Sequence, residues 1–438
     1  MSALLTDLYE LTMAAGYFDA GIASRTATFE LTVRSLPKHR NFVLAAGLPQ
    51  AVEYLLGLRF SGEEIDYLRG LPQFGGVSSG FFEMLGNFRF SGDVFAVPEG
   101  TPLFAGEPMM TVRAPLLEAQ VPETYLLSAL TFQTLIASKA ARVVEAGAGR
   151  DIVEFGTRRA HTPEAGVLGA RAAYIGGCAG TSNALAGFRY GVPVFGTAAH
   201  SWVMAFPNET ESFRQLQKLL GAHTVQLIDT FDTIEGARKA AALGRPLWGV
   251  RLDSGDLVSL AKQVRAILDE AGLRETKIMA TSDLDEFKIR NILAAGAPVD
   301  VFGVGTELAT SGDAPAMGAV YKLVEMDTCG IKRYTAKRSE GKISSPGAKQ
   351  IFRLPDHDVL ARSGECCGGN GEALLRPVIL GGELIEPLPT VAAARRRAAE
   401  CLAKLPPALR SLDMAEPYRV EQSAELLTLI EQTRRNMP

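Results

Sequence analysis

Residues 247–257 read LWGVRLDSGDL, an apolar run that ends in Arg251, Asp253, Ser254, Gly255 and Asp256 just ahead of an amphipathic stretch. An apolar run followed at once by a polar loop and a helical pattern fits a strand buried on both faces of a parallel sheet, with its crossover helix behind it. The unit recurs along the chain. Apolar runs at residues 151–155, 192–196, 224–229, 277–280 and 299–304 are separated mostly by helical patterns, at 211–220, 233–243, 257–271 and 285–295. Repeated strand–helix units predict the α/β class, with a helix-covered parallel sheet long enough to form an irregular, open α/β barrel.

The flanks have a different texture. Residues 1–120 read as an N-terminal α+β domain, with helical spacing at 4–18 and 50–56, strand alternation at 26–34, and short strands near 90–95 and 108–112. Pro122 and Glu123 open a long helix over 122–146, which starts the barrel region at 121–330. Residues 331–438 form a C-terminal extension with a basic, Gly-rich stretch at 332–349 and surface helices at 391–405 and 421–435. This segment is expected to pack back on the first domain.

The 438 residues are 47% hydrophobic and 21% charged, enough to bury a large core without a disulfide or metal staple. A net charge of −4 provides no general attraction for nucleic acid or anionic lipid, so neither is expected as a partner. Five cysteines, including adjacent Cys366 and Cys367 but no CxxC pair, predict reduced thiols in a cytoplasmic protein and no structural zinc. The acidic Asp7 and Glu10 make residues 1–18 a poor signal peptide. No uncharged apolar run approaches the ~20 residues of a membrane span.

Polar residues gather where the apolar runs end, the position at which barrels build their sites. Arg158 and Arg159 could clamp phosphate oxygens or serve as salt-bridge residues. The turn from Asp253 to Asp256 suits a ribose diol or a water-bridged Mg²⁺, or else Asp253 is a turn residue and Asp256 a helix cap. Gly303, Gly305 and Thr306 offer bare backbone N–H groups and a hydroxyl, a cradle for a monophosphate. The stretch from Gly176 to Thr181 either lets a helix approach the sheet or lets a substrate approach the backbone. His200, beside Thr197, Ser201 and Trp202, is a base, a phosphoryl-carrying nucleophile or a structural hydrogen-bonder.

Seven motifs in order, TDLYELTMA (6–14), EFGTRRAH (154–161), GTAAHSW (196–202), DTFDT (229–233), GVRLDSGDL (249–257), TSDLDE (281–286) and VFGVGT (301–306), resemble nicotinate phosphoribosyltransferases. The resemblance runs from about residue 5 to 325. It implies an ATP-dependent, ligase-type enzyme of NAD salvage that joins nicotinate to phosphoribosyl pyrophosphate, with Mg²⁺ as cofactor and ATP as co-substrate. It further implies a phosphohistidine at His200, a nicotinate pocket lined by Thr197 and Arg251, and a ring stacked between Phe155 and Tyr9. In a homodimer, Tyr9 would reach the neighbouring subunit's site. Arg158 and Asp253 would contact phosphoribosyl pyrophosphate or its Mg²⁺, and Thr306 the phosphoribosyl phosphate. Ser254, Gly255, Ser282, Gly303 and Gly305 complete the expected substrate-binding set. No protein-held structural metal is expected, Mg²⁺ arriving on the phosphoribosyl pyrophosphate. Residues 36–42, LPKHRNF, replace the Gly-rich stretch often found in the family. The nearest alternatives are nicotinamide or quinolinate as acceptor, or a non-catalytic phosphate-binding relative. Quinolinate needs further cations for its second carboxylate, and neutral nicotinamide gives Arg251 no partner.

Overall fold

The computed structural model describes residues 1–336, 345–366 and 371–436. Cys367 and the middle of the basic stretch at 332–349 fall outside them.

The parallel sheet expected from the repeated units is present. Its strands are β4 (Asp151–Glu154), β5 (Gly180–Thr181), β6 (Val225–Leu227), β7 (Gly249–Leu252), β8 (Lys277–Ala280) and β9 (Val301–Val304), in the order β5-β4-β9-β8-β7-β6. The order is cyclic in sequence, and the break falls between β5 and β6. Helices α4 (Pro163–Ile175), α5 (Glu209–Leu220), α6 (Thr233–Leu243), α7 (Leu257–Glu270) and α8 (Glu286–Ala294) fill the connections. Ile152, Val250, Leu252, Ile278, Ala280, Phe302 and Val304 face these helices in one large core. Val153, Met279 and Val301 form a separate small cluster on the opposite face, as the two-residue period of a strand requires.

One expected strand is not a strand. Residues 192–196 contribute only an isolated bridge between Val194 and Thr181, with the Pro193 carbonyl accepting from Thr181 N at 3.0 Å and Phe195 N donating to Thr181 O at 2.9 Å. Pro193 has no N–H to extend a ladder, so Gly180–Thr181 provides the sheet edge instead.

The second layer is an antiparallel sheet drawn from the whole chain. Strands β1 (Thr26–Ser35), β2 (Asp93–Ala96), β3 (Pro108–Pro115), β10 (Gly318–Thr328), β11 (Ile331–Tyr334), β15 (Arg376–Leu380) and β16 (Glu383–Leu384) lie in the order β11-β10-β1-β3-β2-β15-β16. β10, from the region expected to belong to the barrel, runs along β1 from Thr26–Asp327 to Ser35–Gly318. Residues 318–327 thereby join the antiparallel layer. β12 (Lys349–Arg353), β13 (Asp358–Arg362), β14 (Glu372–Ala373) and β17 (Val420–Gln422) make a smaller sheet, and α9 (Val391–Lys404) packs on α4.

The long helix α3 (Glu123–Ala146) joins the layers. Its Lys139 Nζ meets Glu286 Oε2 of α8 at 2.5 Å and Asp313 Oδ1 at 2.9 Å, while Arg142 Nε reaches Glu286 Oε1 at 3.0 Å. Arg40, from the loop after β1, closes the group on Asp313 with contacts of 2.7 and 3.0 Å. Burial alone would raise the Glu286 carboxyl, but Lys139 and Arg142 outweigh it and hold the group below the ordinary carboxylate range. A second bridge, Arg171 to Glu99, ties α4 to the loop after β2.

Glu286→Gln leaves Arg142 without a carboxylate partner and Lys139 with Asp313 alone, and breaking such a buried pair costs about 3–5 kcal/mol. Glu286 has a depressed folded pKa, so its contribution is complete above the ordinary carboxylate range and disappears as pH falls through the folded value. Denaturant unfolding across acid pH is therefore expected to show the variant destabilised at neutral pH with a shallower acid limb. An unchanged midpoint at neutral pH would contradict this role.

Candidate active site

The sheet's period brings polar side chains to one face at the C-terminal strand ends. Phe155 and Gly303 stand two residues beyond Val153 and Val301, Thr281 stands two beyond Met279, and Arg251 is in register with Met279. All share the face opposite the helix-packed core.

Arg251 is held at each guanidinium nitrogen. Nε donates to Thr281 Oγ1 at 3.0 Å, Nη1 to Thr197 Oγ1 at 3.0 Å and Nη2 to Asp253 Oδ1 at 2.8 Å. Its Cζ also stands 5.9 Å from the centre of the Phe155 ring. The Thr281 hydroxyl in turn donates to Asp253. Burial would raise the Asp253 carboxyl, but Thr281, Arg251 and His200 outweigh it, so the group lies below its ordinary range and is ionised at neutral pH.

His200 opens a short helix, His200–Met204. Its Nδ1 is 3.1 Å from Thr230 Oγ1 and its Nε2 is 3.6 Å from Asp253 Oδ2. The two ring nitrogens thus have different partners, which fixes the plane of the imidazole. Asp229, at the end of β6, accepts from Asp253 N at 3.0 Å and Ser254 Oγ at 2.6 Å. It clamps the loop after β7, and its Oδ1 has no hydrogen-bond partner among the described residues.

Other expected site residues have structural duties. Asp256 caps α7, its Oδ1 accepting from Val258 N and Ser259 N at 3.1 and 3.2 Å. Gly255 takes φ +80°, which the tight turn between them needs. Gly303 lies within β9, where a Cβ would be 2.6 Å from Thr281 Cγ2 and 2.7 Å from Phe155 Cδ2. Its missing side chain makes room for those two. Gly176 lets α3 approach, since a Cβ there would be 2.3 Å from Ala137 O.

Arg158 and Arg159 are exposed in a single turn, Thr157–Arg159, and neither forms an ion pair among the described residues. Ser282 holds φ +97° and Asp283 φ +45° at the exposed end of β8; such conformations are costly for residues with a side chain. Gly305 precedes the half-buried Thr306 at the start of a short helix, Thr306–Ala309.

Tyr9 belongs elsewhere in the fold. It is 47% exposed on α1 (Leu8–Asp19), its hydroxyl raised above the ordinary range by burial and then by Glu123. Glu10 docks α1 on the start of α3 by accepting from Thr124 N at 3.1 Å and Thr124 Oγ1 at 2.7 Å. No described hydrogen bond or ring contact joins Tyr9 to the Arg251 cluster.

Sequence reasoning places Asp229, Thr230 and Thr281 in strand-end loops without giving them a role, and does not single out Glu154. The buried Glu154 accepts from Thr181 Oγ1 at 2.6 Å and from Gly156 N, bracing the turn that carries Phe155. All four lie inside or beside the quoted motifs, which is the signal that could have found them.

Three family models match most of the chain: the nicotinate phosphoribosyltransferase N-terminal domain at residues 4–131, the nicotinate phosphoribosyltransferase family at 151–362 and the C-terminal domain at 348–430. The nicotinate phosphoribosyltransferase pncB2 of Mycobacterium tuberculosis is 46% identical over 425 residues, covering 94% of this chain and 89% of that protein. This chain belongs to the nicotinate phosphoribosyltransferase family. A Bacillus subtilis nicotinate phosphoribosyltransferase is 43% identical over 361 residues, with 80% of this chain and 73% of that protein covered. The crystal structure of the human nicotinic acid phosphoribosyltransferase superposes with a TM-score of 0.84 at 28% identity, covering 98% of this chain and 100% of that one. Among the described residues, no helix is long and apolar enough to cross a membrane.

The packing reason for Gly303 can be tested within this family fold. Gly303→Ala is expected to cost about 1–3 kcal/mol, the usual range for overpacking. Truncating the ring with Phe155→Ala should reduce that cost in a double-mutant cycle followed by denaturant unfolding. An equal cost in both backgrounds would contradict the Phe155 contact.

Proposed function

We propose that this chain transfers the phosphoribosyl group of phosphoribosyl pyrophosphate to nicotinate, releasing nicotinate mononucleotide and diphosphate in NAD salvage, with ATP as co-substrate. The observation that carries the reading is Arg251, a cation fixed at three points beside the Phe155 ring and the His200–Asp253 pair. A flat anion such as nicotinate needs an aromatic face for its ring and a cation for its carboxylate.

In the transfer, the pyridine nitrogen forms a bond to the ribose anomeric carbon as the bond to the diphosphate oxygen breaks. Positive charge grows on the sugar and negative charge on the leaving group, so fixed charges at the strand ends favour the transition state. Arg251 and Thr197 orient the nicotinate carboxylate. The exposed Arg158 guanidinium neutralises diphosphate, and Thr306 with Gly305 receives the phosphoribosyl phosphate. Ser254, Gly255 and Ser282 edge the ribose side.

Asp229 and Asp253 supply hard oxygen donors, one without a hydrogen-bond partner, and such a set fits Mg²⁺ brought in on phosphoribosyl pyrophosphate. Bound there, the metal would neutralise diphosphate oxygens. His200 accepts the γ-phosphoryl group of ATP on a ring nitrogen as ADP leaves, and water later takes the group as inorganic phosphate. Asp253 and Thr230 hold the ring in position for both steps.

The cyclic strand order supports an open barrel whose gap lies beside the His200 loop. The exposure of Tyr9 supports a homodimer in which it covers the nicotinate ring of the neighbouring site. The cytoplasm is the expected compartment.

The test is mononucleotide formation from nicotinate, nicotinamide and quinolinate, each with phosphoribosyl pyrophosphate and Mg²⁺, with and without ATP. Product from nicotinate alone, increased by ATP and reduced on the order of 10²-fold by Arg251→Gln, is expected from the loss of a charge-assisted pair. Equal turnover of nicotinamide, or none of nicotinate, would contradict the proposal.

A further inference from the structure

At the opposite, N-terminal end of the parallel strands lies a cavity of about 480 Å³. It is bounded by the first residues of β4, β8 and β9, by Trp248 just before β7, and by the end of α7. The apolar layer of Val153, Met279 and Val301 lies between this mouth and the Arg251 cluster.

The mouth is basic on a chain whose net charge is −4. Arg265 is locked by Thr276 O at 2.7 Å, Leu273 O at 2.8 Å and Asp269 at 2.8 Å. Lys277 is 3.4 Å from Asp300, whose other oxygen already accepts from Ile278 N at 2.9 Å. Among the described residues, Arg150 is held by backbone carbonyls alone, Val299 O at 3.4 Å and Ala148 O at 3.2 Å. Carbonyls orient a guanidinium without cancelling its charge. The exposed Arg274 forms no ion pair among the described residues. Among the described residues that line this mouth, Arg150 and Arg274 are therefore the cations without an ion pair, and Asp151 is the carboxylate without one.

Trp248 adds a different chemistry. It is 36% exposed at the cavity wall, anchored through its backbone to Thr224 O at 2.9 Å and to Lys277 N at 2.8 Å. A half-exposed indole beside unpaired guanidinium groups offers a stacking face and an anion clamp together. The volume falls within the range of ~300–1,000 Å³ typical of small-molecule sites.

We propose that this mouth is a second ligand site, separate from the catalytic cluster, which takes a nucleoside monophosphate with its base on Trp248 and its phosphate on Arg150 and Arg274. Asp151 is placed to accept from the ribose or base. The inference does not depend on the reaction proposed for the other end, because the two sites share no side chain.

The probe is AMP, followed by titration calorimetry on the full-length protein. Arg150→Ala/Arg274→Ala is expected to weaken one AMP site at least about tenfold, the loss of two charge-assisted contacts, while nicotinate turnover is unchanged. Arg251→Gln should leave that AMP site intact. Inorganic phosphate alone, lacking the stacking face, should bind at least about tenfold more weakly than AMP. Arg274 is exposed, so Arg274→Ala alone gives a weaker form of the same test without risk to folding. AMP binding unchanged in the double variant, abolished by Arg251→Gln or absent from the wild type would overturn the proposal. Equal affinity for phosphate and AMP would overturn the role of Trp248.

Discussion

The Arg251 guanidinium sets the geometry on which the site depends. A cation at the end of a buried strand must be held, and here three side chains from three different loops do so: Asp253 pairs with its charge, while Thr197 and Thr281 accept from its other nitrogens. Each contact fixes a loop as well as a charge. Asp253 then orients His200 at 3.6 Å, and Asp229 pins Asp253 from the neighbouring strand. Residues far apart in the chain thereby form one hydrogen-bonded unit. Such a unit is worth more than its separate pairs because each bond restricts the partners of the next.

The scaffold beneath it is stiffened by the same means on a larger scale. Lys139 and Arg142 on α3, Glu286 on α8, Asp313 and Arg40 form a buried cluster that joins the N-terminal layer to the helices of the parallel sheet. Glu286 is in the TSDLDE motif that also supplies Thr281, so one short segment serves both layer packing and the site. Gly303 shows the same economy of space: it gives up a side chain so that Phe155 and Thr281 can occupy the sheet face above it.

Much of this was legible in the sequence because hydrophobic period reports burial directly. The long helix expected at 122–146 is Glu123–Ala146, and the strand at 277–280 is Lys277–Ala280. Helix α4 was not singled out, since its run PEAGVLGARAAYI is rich in Gly and Ala and carries little amphipathic contrast. Residues 192–196 are apolar enough for a strand, yet Pro193 cannot extend the ladder. β10 leaves no local trace as a partner of β1, because residues 26–35 and 318–327 pair across more than half of the chain. In the site, residue types and loops were visible, whereas pairings such as His200 with Thr230 and Arg251 with Thr281, each 30 residues apart, depend on the fold.

The most direct measurement of the covalent step proposed at His200 is phosphoryl transfer from γ-labelled ATP to the protein. An acid-labile, alkali-stable label on His200, absent from His200→Ala, is the predicted result. ATP-stimulated nicotinate turnover with no such label, or a label that survives His200→Ala, would contradict it.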